Sequence, residues 1–159
     1  TVPTAASFVN YGRLISRNGG LALGDVLGGI LNKGILTVPE GSKVTQLDCT
    51  NEHLILLKDS VIYGDIHFIS GSKLRTTGGT FEPKAGDSLI KFDENTKITA
   101  EAGTSKIVFP NSETPNLEAE IEVLPDASLE LKNATIGRAD KVKVAEEGEL
   151  IFNDRRIQF

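Results

Sequence analysis

The chain has 159 residues, enough for one domain with its own core, and 39% hydrophobic with 25% charged residues excludes a globally disordered polymer. A net charge of −5 without any cluster of Lys and Arg argues against a nucleic-acid partner, and no apolar run approaches the ~18 residues of a membrane span. Cys49 is the single cysteine, which excludes an internal disulfide and a cysteine-based zinc site.

The opening Thr1-Val2-Pro3 lacks an initiator Met, so the chain reads as a processed product or a piece of something larger. Leu23, Val26, Leu27, Ile30 and Leu31 then recur at i, i+3, i+4, i+7 and i+8, which predicts a short amphipathic helix over 21–31 with Gly34 as its left-handed cap. From Gly34 onward the periodicity changes. Short apolar runs stand at 35–38, 44–47, 54–57, 61–68, 89–92, 97–100, 106–109, 119–123, 128–131, 141–144 and 149–152. Turn-forming residues separate them, among them Pro39-Glu40-Gly41-Ser42, Ser70-Gly71-Ser72, Asp93-Glu94-Asn95 and Glu147-Gly148. The pattern predicts an all-β protein, with residues 1–33 as an N-terminal segment carrying the helix and 34–159 as the β-domain.

A repeat runs through that domain. Turn-Ser/Thr-Lys-aliphatic recurs as Gly41-Ser42-Lys43-Val44, Gly71-Ser72-Lys73-Leu74, Asn95-Thr96-Lys97-Ile98 and Thr104-Ser105-Lys106-Ile107. A drifting period of roughly 20–30 residues suits a parallel β-solenoid, each coil a few short strands. A β-sandwich is the alternative, since its turns are also closely spaced. Open solenoid ends expose unpaired strand edges, and the helix over 21–31 is placed to cap the first coil.

Residues 23–44, from Leu23-Gly24-Asp25-Val26-Leu27 through Val38-Pro39-Glu40-Gly41-Ser42-Lys43-Val44, resemble the start of pectate-lyase-like right-handed β-helices. In that family a short helix and a small-residue turn precede a strand, a Pro-x-Gly turn and a second strand. Phage tailspikes and tail fibres begin their β-helix in this way. The resemblance implies a right-handed β-helix, a homotrimer, other virion tail proteins and a bacterial surface polysaccharide as partners, and a place on the virion. Two features depart from the family: Asn18-Gly19-Gly20 stands where a Gly-Asp-Gly run often precedes the helix, and the aromatic richness of glycan-cleaving grooves is absent.

Candidate chemistry is sparse. β-Helix glycosidases use a pair of carboxylates, and Asp59 with Asp65 is the candidate catalytic pair, with Asp87, Asp93 and Glu94 nearby in sequence. All lie at predicted turns, where Asp is expected for its hydrogen bonds to backbone. His53 and His67 lack metal-ligand spacing, and Cys49 with His53 is a remote nucleophile–base pair. Asn133-Ala134-Thr135 matches a glycosylation sequon. Neither a metal nor a cofactor is expected. These readings converge on a structural or attachment module of a phage spike or fibre without chemistry of its own. A secreted adhesin passenger at a bacterial surface and a fragment of a polysaccharide-degrading enzyme are the alternatives.

Overall fold

The computed structural model describes residues 8–17, 29–83, 90–110, 115–152 and 155–157. The chain winds through short strands. β1 (Phe8–Asn10) and β2 (Arg13–Ile15) form the first coil, β3 (Ile30–Asn32) and β4 (Ile35–Val38) the second. β5 (Lys43–Asn51) and β6 (Leu54–Leu57) form the third, and β7 (Val61–Phe68) and β8 (Lys73–Thr76) the fourth. The fifth holds β9 (Gly79–Pro83), β10 (Ile90–Phe92) and β11 (Lys97–Ala100), the sixth β12 (Gly103–Val108), β13 (Asn116–Leu117) and β14 (Glu120–Val123). The seventh holds β15 (Ala127–Lys132), β16 (Thr135–Ile136) and β17 (Val142–Val144), followed by β18 (Glu149–Phe152) and β19 (Arg155–Ile157).

Strands β2, β4, β6, β8, β11, β14 and β17 stack in that order as a seven-stranded sheet, called sheet B, about six turns of chain from first to last. Ten others form sheet A, and β13 pairs with β16 apart from both. Pairing between coils is parallel throughout, as between β4 and β6 or β12 and β15. Only β19 runs antiparallel, along β18. The fold is therefore a parallel β-solenoid. Parallel register between coils overturns the sandwich alternative, whose sheets are antiparallel.

The sequence makes coils because its apolar residues alternate along each strand. Leu36, Ile55, Leu74 and Ile98 lie in register on adjacent sheet B strands, followed by Ile121. All five are fully buried. Successive strands lie about 4.8 Å apart, so each coil adds one aliphatic side chain to this column. Burying each contributes about 1.5–3 kcal/mol.

A second column changes character partway. Asn10, Asn32 and Asn51 stand in register, and the column continues as Phe68 and Phe92. Asn10 Nδ2 donates to Asn32 Oδ1 at 2.9 Å, and Asn32 Nδ2 donates to Asn51 Oδ1 at 2.8 Å. Each amide also reaches backbone at the corner: Asn32 Nδ2 to Gly34 O at 3.1 Å and Leu54 O at 3.0 Å, Asn10 Nδ2 to Ile35 O at 3.2 Å. The corner explains the switch. Beside the asparagines it is two residues, Tyr11-Gly12, Lys33-Gly34 and Glu52-His53, too tight to bond its own carbonyls. Beside the phenylalanines it is four residues and bonds itself: Ser72 Oγ donates to Ile69 O and Thr96 Oγ1 to Asp93 O, each at 2.7 Å. With the corner satisfied, the inward position takes an aromatic ring. Phe68 and Phe92 stack at 4.3 Å between centroids, 7° from parallel, with Phe81 and Phe109 tilted against them.

The capping helix is corrected by the structure. Among the described residues there is no α-helix, only the 3₁₀ turn Ala139–Lys141. Ile30 and Leu31, counted to the helix, belong to β3, which pairs with both β1 and β5. Their spacing fits a helix, yet Ile30 is buried beside Cys49 while Leu31 points outward, the alternation of a strand. The rest of the expected helix, 21–28, lies outside the described residues. Strands already stack from Phe8, so the first coil precedes the position assigned to a cap.

Candidate functional site

The outer face of sheet B changes along the solenoid. Its outward positions read Arg13 and Ile15 in β2, Ile35 and Thr37 in β4, Leu54 and Leu56 in β6, then Lys73 and Arg75 in β8. Beyond them come Lys97 and Thr99 in β11 and Glu120 and Glu122 in β14. Register places Lys73 between Leu54 and Lys97, and Lys97 between Lys73 and Glu120. The apolar half is only partly covered: Ile15 is 55% exposed, and Tyr11, at the corner beside it, 75%.

Two adjoining depressions mark the charged half. One, of about 380 Å³, is lined by Ser72, Lys73, Asn95, Thr96, Lys97, Glu120 and Lys141. The other, of about 350 Å³, opens among His53, Leu54, Lys73, Arg75, Lys97, Thr99, Glu101, Glu122 and Leu124. Lys73 and Lys97 are common to both. Lys97 Nζ lies 3.2 Å from Glu122 and 3.9 Å from Glu120, and Arg75 pairs with Glu101. No carboxylate among the described residues reaches the Lys73 ammonium. The chain positions these lysines through the repeated turn: Gly71 and Asn95 adopt positive φ (90° and 59°), and the Ser72 and Thr96 hydroxyls close the turn beneath. The repeat read from the sequence carried this signal, since two of its four lysines are Lys73 and Lys97.

The predicted carboxylates are not assembled in these depressions. Asp59 sits exposed in the turn before β7 at φ 38°, its carbonyl accepting the Gly41 N–H at 3.0 Å. Asp65 lies exposed within β7, in register with Asp48. Asp93 accepts a 2.8 Å hydrogen bond from His67 Nε2, with Lys91 at 3.8 Å. Glu94 is exposed, and Asp87 lies outside the described residues.

Cys49 faces inward between Ile30 and Ile66. Burial pushes its thiol up to about 12, partly offset by a backbone hydrogen bond at Asn32, so it stays protonated and non-nucleophilic at neutral pH. His53 is exposed at the corner after β5 and does not face it. Asn133 Nδ2 donates to Phe109 O at 3.0 Å, so the sequon's amide is engaged in the fold. Arg138 grips the Asp140 carboxylate with two bonds of 3.2 Å, holding that carboxyl below its usual range. Among the described residues no group of three or more His, Cys, Asp or Glu is placed to hold a metal ion.

No family model matches the chain, and neither a curated protein nor a solved structure matches it.

Proposed function

We propose that the chain is a rigid attachment module, a segment of a phage tailspike or tail fibre that acts in recognition of a host surface and has no chemistry of its own. The observation that carries this reading is the uninterrupted parallel stack itself, with a side face that passes from apolar to polar along its length. A solenoid spaces its surface groups at fixed intervals, which suits a shaft more than a pocket. The Pro39-Glu40-Gly41 turn between β4 and β5, part of the resemblance to phage β-helices, supports the same reading.

Such modules act as homotrimers, and the apolar half of sheet B, with Ile15, Ile35, Leu54 and Leu56 outward, is the surface that three copies would cover. The partners are other virion tail proteins and a bacterial surface polysaccharide. Light scattering before and after warming in mild detergent tests this. A three-chain mass that survives supports the reading. A monomer that loses its structure overturns it and favours a secreted solenoid adhesin.

A further inference from the structure

We infer that the two depressions on sheet B bind an acidic saccharide, one of sparse charge, with the Lys73 ammonium receiving its carboxylate. This deepens the attachment reading by naming the ligand class and the side chain that selects it.

Lys73 lies directly over Lys97 in neighbouring strands, about 4.8 Å apart along the stack. Like charges opposite one another in a sheet are destabilising. Lys97 is relieved by Glu120 and Glu122, and Arg75 by Glu101. Lys73 has no such relief among the described residues, so this rung departs from the charge matching around it. Departures of that kind concentrate at functional positions.

The surroundings select the ligand. Thr99 supplies a hydroxyl, while the buried Ser72 and Thr96 hydroxyls are spent on closing their turns beneath the lysines. Glu101 and Glu122 accept hydrogen bonds from hydroxyl groups, and Leu124, away from the apolar half that three copies would cover, offers apolar surface to the face of a sugar ring. Each depression falls at the small end of ligand-site volumes. A nucleic acid, with a phosphate at every residue, would set its charges against Glu101, Glu120 and Glu122. A saccharide with one carboxylate every second ring meets Lys73, with Lys141 as a second cation on the first depression, and leaves hydroxyls for the rest. No Phe, Tyr or Trp lines either depression, so the expected Kd is on the order of 0.1–1 mM.

Titration calorimetry or NMR with a hyaluronan hexasaccharide, at low and at physiological salt, provides the test. The expected result is binding that weakens with salt, is lost about tenfold in Lys73→Gln, and is unchanged in Lys58→Gln, which removes an exposed charge elsewhere. A neutral maltohexaose of equal length should not bind. The inference is overturned by absence of hyaluronan binding, by equal affinity in Lys73→Gln, or by tighter binding of a short DNA duplex. A detergent-resistant trimer that fails to bind hyaluronan refutes this site alone. A monomer that binds through Lys73 refutes the spike reading and leaves the site standing.

Discussion

Replacing Asn32 by Ala tests the account of the corner. The Asn32 side chain is fully buried and donates to Asn51 Oδ1, Leu54 O and Gly34 O while accepting from Asn10 Nδ2. Alanine removes every one of these bonds and leaves two carbonyls and an amide oxygen in the interior. Each buried polar group that loses its partner costs about 1–3 kcal/mol. Relaxation and the partners that remain, such as Ile35 O for Asn10, bring the expected total to about 3–5 kcal/mol. That is a large share of the ~5–15 kcal/mol that holds a domain folded. Asn10→Ala provides the internal comparison. Its neighbours Tyr11 and Gly12 are exposed, so water reaches the freed groups and the cost falls to about 1–2 kcal/mol. Urea unfolding of the two variants beside the parent, at unchanged slope, measures both. The reasoning fails if Asn32→Ala costs no more than Asn10→Ala, or if its unfolding free energy is within about 1 kcal/mol of the parent's.

Gly34 and Gly12 occupy equivalent corners one coil apart, yet a Cβ on Gly34 would lie 2.1 Å from Gly12 O, whereas one on Gly12 meets nothing within 4 Å. Gly34→Ala should cost about 3 kcal/mol or more and Gly12→Ala less than about 0.5 kcal/mol, read from melting temperatures. Cys49 makes stability fall at alkaline pH. Its folded thiol titrates near 12, so once pH passes the ordinary thiol range the unfolded chain binds fewer protons. Stability is then lost progressively until the folded thiol also ionises. Between pH 8 and 10 the parent should lose about 1.4 kcal/mol more than Cys49→Ala, and parallel curves for the two would contradict the buried-thiol assignment.

Legibility in the sequence followed the period-2 signal. Runs such as 35–38, 54–57 and 97–100 are strands as read, because one wet face leaves clear alternation. The uneven repeat had a physical cause. Leu74 and Ile98 are true neighbours on sheet B, and Leu129 and Leu150 on sheet A. The steps from Val44 to Leu74 and from Ile98 to Leu129 instead cross between sheets, and the coils themselves lengthen where the corner grows from two residues to four, so the period drifts. The helix expectation went astray at Ile30 and Leu31, where two apolar residues in sequence satisfy either period and only pairing with β1 and β5 decides. The lysines of sheet B were visible as a motif, but not that two of them share a face. Sequence spacing does not say which strands adjoin, and the relief of Lys97 by Glu122 spans 25 residues.

The same spacing carries a kinetic consequence. Bonded partners in successive coils are 19 residues apart from Asn32 to Asn51 and 26 from Arg75 to Glu101. Against a length of 159 these separations correspond to a relative contact order of roughly 0.12–0.16, below that of most all-β sandwiches. Closing one coil requires no distant segment to arrive first, so assembly can start at any rung and spread in both directions like a zipper. A local opening, whether from heat or a proteolytic nick, would then reseal against the intact coil beside it.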